Sequence, residues 1–555
     1  MPALPRIPQR LIAGVLALGL AACEPRGGCT GDYCGTLVIN SAGQVDILLP
    51  PVSEQIAARA ISDQIFLKLA DVGMSTNTVG DAEFEPLLAE RWEWSDSLTL
   101  VFHLNPRARW QDGVPVTAAD VAFTFDAYTD PRVNSPYRAV LQRIRTVTTR
   151  DSGTVVFRFG GRSPEMFYDA VYHLRILPAH LLRETPRDQW VTAPFGRAPV
   201  GSGPYRFVSW QAGQDIELVA DSTFFLGRPR IRRIIWRSVP DLQVAVTRLM
   251  AGEADVQEVL FTPANVAQAR GASHLATYPY KGSLYTFLAF NLAAPGDSAR
   301  PHPLLGDRDV RRALRMATDR ERLLQSVFGD LARVPPGPVS QLWWIWDPET
   351  RQLPYDPAEA ARVLERRGWR DSDGDGVRDR EGTRLAFGVL VPTTSAVRKQ
   401  YARLLQEEYR ALGVAVEIQE IEPSVLEERT RAGLFDAALL TRSTDPTPTS
   451  GMAQSWTRAG LGASNLTRYD NPAFERLMAA AAQARSPVEA RAAWRAALEA
   501  LDQDVPGIWL NAPDNVAAVH ARVADVRIRP DAWWSLLRTW RIPPDRLIDR
   551  DRVER

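Results

Sequence analysis

Residues 86–104 read Pro86-Leu-Leu-Ala-Glu-Arg-Trp92-Glu-Trp-Ser-Asp-Ser-Leu-Thr-Leu-Val-Phe102-His-Leu104, and Trp110-Gln-Asp-Gly113-Val-Pro115-Val-Thr117-Ala-Ala-Asp120-Val-Ala-Phe123 follows a few residues later. Leu98, Leu100, Phe102 and Leu104 alternate with Thr99, Val101 and His103, which is the period of a strand. Thr117 and Asp120, three apart ahead of an apolar run, form a helix start signal; the spacing predicts a helix over 121–128, ended by Asp130-Pro131. A second strand is expected at 154–159 behind the turn Asp151-Ser-Gly153. Outward from there, Thr36-Leu-Val-Ile39 reads as a strand. Residues 53–69 read as a helix behind a Ser53 cap, with Ile56, Ala60, Ile65 and Leu69 at helical spacing. The opening is therefore α/β, and Pro/Gly-rich joints at 198–204 and 334–338 separate larger blocks.

At 555 residues the chain is too long for one ordinary core and suggests two to four domains. Its 45% apolar, 9% aromatic and 24% charged residues exclude disordered, collagenous and disulfide-scaffold classes. Lys+Arg and Asp+Glu are both 66, so no global field draws a polyanion, and nucleic acid is not an expected partner.

Arg6 and Arg10 precede an apolar run from Leu11 to Leu20, too short to span a bilayer but suited to a signal-peptide core. The run closes on Leu20-Ala-Ala-Cys23, which resembles the bacterial lipobox and implies a diacylglycerol on the Cys23 thiol. The mature chain is then expected to be held to a membrane by lipid, in the periplasm or on the cell surface. Cys29 and Cys34 lie in a short stalk, where an exported compartment permits a disulfide. No His or third Cys lies nearby to make a metal site.

Beyond the quoted stretch, further blocks follow in order. They are Val200-Gly-Ser-Gly203-Pro204-Tyr205 with Trp210, Arg311-Arg-Ala-Leu-Arg-Met-Ala317-Thr-Asp319-Arg320, Tyr355-Asp-Pro357 to Gly368-Trp369, Phe435-Asp436, and Tyr469-Asp-Asn471-Pro472. Together, over about residues 36–530, they closely resemble the family 5 extracellular solute-binding proteins, receptors of peptide, nickel and oligopeptide ABC importers. The resemblance implies an α/β, two-lobed periplasmic binding protein type II fold with an extra domain inserted in the N-terminal lobe. Mapped by the blocks, residues 1–22 are a signal peptide and 23–35 a lipidated stalk. Lobe I combines 36–66, 199–290 and 511–535, the inserted domain covers 67–198, lobe II covers 291–510, and 536–555 form a charged tail.

The resemblance also directs attention to the ligand site. Peptide-binding members carry, after a strand like Phe435-Asp-Ala-Ala-Leu-Leu440, an aspartate three residues before an acid-Pro pair; here the pair is Asp445-Pro446 and the position holds Arg442. Leu440, Arg442 and Asp445 are thus candidate ligand residues. A guanidinium there would suit a carboxylate or phosphate, with Asp445 as the alternative partner for a cation. Trp344 and Trp346, in the Trp343–346 cluster, are candidate aromatic walls. Trp456, Trp509, Trp533 and Trp534 are pocket or core residues on the same argument.

No HExxH, CxxC, GxSxG or phosphate-loop spacing occurs, and the six histidines are scattered singly, so no catalytic residues and no cofactor are expected. Asp371, Asp373, Asp375 and Asp379 occupy positions 1, 3, 5 and 9 of an EF-hand-like loop with Gly376 at 6, but Gly382 stands where the bidentate Glu belongs. The loop is either a hydrophilic turn or a weak structural Ca²⁺ site. The expected function is a lipid-anchored, monomeric, non-enzymatic receptor that captures a peptide or related small solute between its lobes and delivers it to an ABC permease and ATPase. The alternatives are a lipid-anchored sensor or assembly protein without transport and, with less support, an exported hydrolase.

Overall fold

The computed structural model describes residue 29 and residues 33–552, apart from 44, 54, 261, 340–344, 346–348, 444–451, 453, 454, 462, 463 and 485. Among these residues one large mixed sheet orders its strands Ala415–Ile421, Ala386–Pro392, Ala437–Ser443, Leu284–Phe290, Gly507–His520, Val256–Gln257, Cys34–Ser41, Ile231–Ser238, Asp215–Ala220 and Tyr205–Trp210. Gly507–His520 is the strand that makes two lobes out of it. Its first half pairs with Leu284–Phe290, and from Asp514 onward it pairs with Leu275–Lys281. The chain therefore crosses between lobes at two adjacent places, around Gly282 and around Pro513. A methyl on Gly282 would press on the Pro513 carbonyl oxygen, so the two crossings can touch only because that position has no side chain.

The first lobe packs Leu37, Ile39, Ile61, Trp236, Trp533 and Trp540 into one core. The second lobe buries both faces of its sheet. One face carries the helices Arg308–Met316, Pro357–Arg366 and Ala396–Ala411, and the other carries Pro472–Ala481 and Pro487–Asp504. Between the lobes' segments stands a four-stranded antiparallel sheet, in the order Ala89–Asp96, Thr99–Leu104, Thr154–Phe159, Ile144–Thr149. Its core runs from Leu67 to Ile176 with Phe224 added from outside. The alternation at 98–104 marks a strand buried on both faces, since Val101 is as buried as Leu100 and Phe102. The helix expected at 121–128 spans Ala118–Thr129, and the Thr117 amide donates to Asp120 Oδ2 at 2.8 Å, as a capping box requires.

Three local readings are corrected. Ser53 caps nothing: its hydroxyl donates to Asp46 Oδ1 at 2.9 Å, and the helix spans Ile56–Ile65. That helix stops where the Gly201-Ser-Gly203 joint meets its end, the Gly203 amide donating to the Ile65 carbonyl at 2.7 Å. Neither Gly201 nor Gly203 has a left-handed backbone; glycine stands there because any β-carbon would overlap the carbonyls of Gln64 and Ile65. Strand Leu284–Phe290 lies in the second-lobe sheet, since Phe287, Leu288 and Phe290 pack into that lobe's cores. Residues 536–552, read as a tail, continue into the first lobe: Leu537, Trp540 and Ile542 are buried, and Asp551 receives the Thr36 amide at 2.7 Å and the Arg522 guanidinium at 2.6 Å. No described helix is long and apolar enough to cross a membrane.

Candidate functional site

The second-lobe wall of the site begins where strand Ala437–Ser443 ends. Leu440 is 2% exposed and belongs to the core. Arg442, two residues on, is exposed and sits opposite Tyr285 in the ladder. It lines a small recess with Tyr285, Phe287 and Trp456. The aromatic rings beneath are continuous: Tyr285 and Phe287 are 5.4 Å apart, Phe287 and Trp456 5.6 Å, and Trp456 and Trp509 5.7 Å. Trp456 and Trp509 therefore serve as core under the site rather than as free walls.

Electrostatically this end is cationic. Among the described residues Arg442 has no hydrogen bond or ion pair, and its charge acts on a second guanidinium, that of Arg398. Arg398 lies close enough that burial, with the Arg442 charge adding, holds its guanidinium below the usual range. Arg398 donates only a long bond to the Leu439 carbonyl at 3.5 Å, and its Nε has no partner. Asn511, on the strand joining the lobes, is fully buried opposite Thr286, with neither its amide nitrogen nor its oxygen hydrogen-bonded. A buried amide left so costs on the order of 1–3 kcal/mol, which makes Asn511 a candidate site residue that sequence reasoning missed.

A cavity of ≈ 720 Å³ opens between the four-stranded sheet and the turn after helix Pro472–Ala481. Trp94, Met166 and Phe167 give it apolar walls, Asp81, Asp96 and Arg162 its charges, and Gln483 faces them from the second lobe. Val79 connects this cavity to the Arg442 region: it lines the cavity yet packs in the second-lobe core with Tyr285 and Phe287. The loop from Gly73 to Gly80 thus bridges the two bodies, with Asn77 and Thr78 buried beside Val79.

Of the other sequence candidates, Asp445, Trp344, Trp346 and Cys23 lie outside the described residues. Cys29 and Cys34 are joined by a disulfide, their Cα atoms 4.9 Å apart. Carboxylate oxygens of Asp371, Asp373 and Asp375 lie within 4.8 Å of one another, all exposed. They are already engaged: Asp371 accepts the amides of Gly374 and Gly376, Asp373 that of Asp375, and Asp375 that of Val377 and the Arg384 guanidinium. Asp379 is not in that group; it accepts the Ser372 amide and hydroxyl at 3.0 and 2.6 Å. These bonds are of the kind that Asp- and Gly-rich turns make.

Comparison with known proteins places this architecture. Residues 83–463 match the family described as bacterial extracellular solute-binding proteins, family 5. The oligopeptide-binding protein AppA of Bacillus subtilis is 25% identical over 547 residues, covering 94% of this chain and 97% of that one. Protein XP55 of Streptomyces lividans is 29% identical over 513 residues, covering 90% and 89%. Among solved structures, the substrate-binding protein CtaP of Listeria monocytogenes superposes with a TM-score of 0.77 at 20% identity, over 92% of this chain and 99% of its own. The B. subtilis AppA structure, in complex with a nonapeptide, superposes with a TM-score of 0.67 at 23% identity over the same shares. With the match extending over most of the chain and the two-lobed fold shared throughout, the protein belongs to the family 5 bacterial extracellular solute-binding proteins.

Proposed function

We propose that this chain is the lipid-anchored receptor of an ABC importer, held to the membrane through Cys23, and that it delivers a peptide or related small solute from its interlobe cleft to a permease. The observation that carries the reading is the cleft itself. The chain passes between the two lobes at adjacent crossings, and a cavity of ≈ 720 Å³ lies between surfaces that belong to different bodies. A solute touching both surfaces has more contacts in the closed state, and that differential affinity is what closes the protein. The similarity to an oligopeptide-binding protein over nearly the whole of both chains supports a peptide as the solute.

Arg442 narrows the class. With Arg398 beside it and no acidic partner among the described residues, an ammonium placed there would face like charge in a partly desolvated site. A ligand that presents an anionic group to Arg442 avoids this. The test is calorimetry of wild type and Arg442→Asp against two panels, free-carboxylate peptides and their C-terminal amides. Wild type should prefer the carboxylates and the variant should lose that preference by roughly tenfold or more. Equal binding of both panels by both proteins would remove Arg442 from the site. Cys23→Ala should release the protein from membranes; continued membrane partitioning of that variant would refute the anchor.

A further inference from the structure

The ≈ 720 Å³ cavity, separate from the recess lined by Arg442, carries a second recognition element. Strand Ala89–Asp96 is an edge strand, and Trp92 and Trp94 project from it. Both indoles donate to the same carboxylate oxygen: Trp92 Nε1 to Asp81 Oδ2 at 3.2 Å, and Trp94 Nε1 to Asp81 Oδ2 at 3.0 Å. Trp92 is held in turn by Phe167, with ring centroids 4.9 Å apart, and Trp94 by Phe159 at 5.9 Å. The Asp81 carboxylate is therefore fixed in position, while its other oxygen has no hydrogen bond and the group has no ion pair among the described residues. Trp94 is 36% exposed, unusually open for a residue of its size, and it lines the cavity beside Asp81. The cavity's charged lining residues are Asp81, Asp96 and Arg162, a net charge of −1.

A carboxylate with a free oxygen, held at the N–H edge of an exposed indole, suits an organic cation, which the charge draws in and the exposed ring can flank. An apolar ligand group would leave Asp81 desolvated without compensation, and an anionic one would be repelled. We infer that the Asp81–Trp94 corner receives a cationic side chain of the transported solute, a guanidinium or a primary ammonium on a flexible stem. The stem would run along Met166 and Phe167, which supply the apolar wall. This inference rests on the reading of the cleft as a peptide site and adds to it the basic side chain that the ligand should carry.

The experiment uses the full soluble domain and position-scanned pentapeptide pools that differ only in carrying arginine or citrulline, its neutral isostere, with affinities read by calorimetry. Small-angle scattering reads compaction of the same samples. Arginine pools should bind roughly tenfold or more tightly than citrulline pools. Asp81→Asn, which keeps an acceptor for both indoles, should abolish that preference, and Trp94→Leu should reduce it. Equal affinity for both pools in wild type, or a preference that survives Asp81→Asn, overturns the inference while compaction by either pool keeps the receptor reading intact. Absence of both binding and compaction with every pool overturns the receptor reading and this inference together.

Discussion

Replacing Asp169 by asparagine should stabilise the protein at alkaline pH and leave it nearly unchanged in acid. Asp169 lies on the short helix Met166–Val171, whose first residues line the cavity, and its side chain is 1% exposed. Its Oδ2 accepts from Arg143 at 3.3 Å, and Oδ1 has no hydrogen bond among the described residues. Burial raises the carboxyl from its ordinary 3.8 to about 7; the Arg143 charge opposes the rise and the like charge of Glu165, one turn earlier, adds to it. The folded state therefore holds a proton that the unfolded chain releases above about pH 4. Stability contributed by this group is full below that value and falls as pH rises to about 7, where the folded group finally ionises. At about 1.4 kcal/mol per unit, the three-unit rise sets a scale of about 4 kcal/mol for the loss. Asparagine fills the same volume with no charge to desolvate. Arg143, 42% exposed on its side chain, remains solvated without its partner. Urea unfolding followed by tryptophan fluorescence at a series of pH values should show variant and wild type together near pH 4 and diverging to a few kcal/mol near pH 8. A variant less stable by a constant amount at every pH would refute the argument, because it would mean that the Arg143 pair outweighs burial.

Other features yield sharp expectations. Gly201→Ala should unfold the joint between helix Ile56–Ile65 and strand Tyr205–Trp210, since its methyl would overlap the Ile65 carbonyl; a melting temperature equal to wild type would contradict the packing described. Arg522→Met should cost about 3–5 kcal/mol, because it removes the guanidinium 2.6 Å from each of two buried carboxylates, leaving Asp551 with backbone donors alone and Asp255 with Arg550 as its remaining cation. Hydrogen exchange should then rise first at Thr36 and in residues 548–552, and uniform exchange would argue against a local clamp. Calcium should leave the melting temperature unmoved, because the carboxylates of Asp371, Asp373, Asp375 and Asp379 already accept loop donors; a rise abolished by Asp373→Asn would reverse that conclusion.

The parts of this protein legible in the sequence are those whose donors and acceptors are satisfied close by. The blocks that carry the family resemblance are hydrogen-bonded staples. Thr117 and Asp120 cap a helix. Arg311 donates to the carbonyls of Leu305, Gly306, Asp504 and Val505. Tyr469 donates its hydroxyl to Asp504 at 2.7 Å, and the Asn471 side chain accepts the first amide of the following helix at 2.8 Å. Asp436 accepts from Gly388 at 2.9 Å and pairs with His302 at 3.0 Å. Each holds the fold in one way that few other residues can supply, so each leaves a recognisable pattern in the chain.

The site leaves no such pattern. Asp81, Trp94, Arg162 and Gln483 come from segments up to 400 residues apart, and nothing local distinguishes Asp81 from any other acid in a turn. What sets these residues apart is the opposite of stapling. Among the described residues Asp81 keeps one oxygen unused, Arg442 has no acid, and Asn511 is buried with both polar atoms unbonded. Folding offers no gain from polar groups held in that condition, and the buried amide of Asn511 costs free energy while it stays unpaired. Arg442 was reachable from the sequence only because it breaks a family pattern at one register position; Asp81 and Asn511 break none. Polar groups left without partners along the line where two lobes meet are therefore what the proposed ligand site offers a solute, and they become visible only after the satisfied ones have fixed the fold.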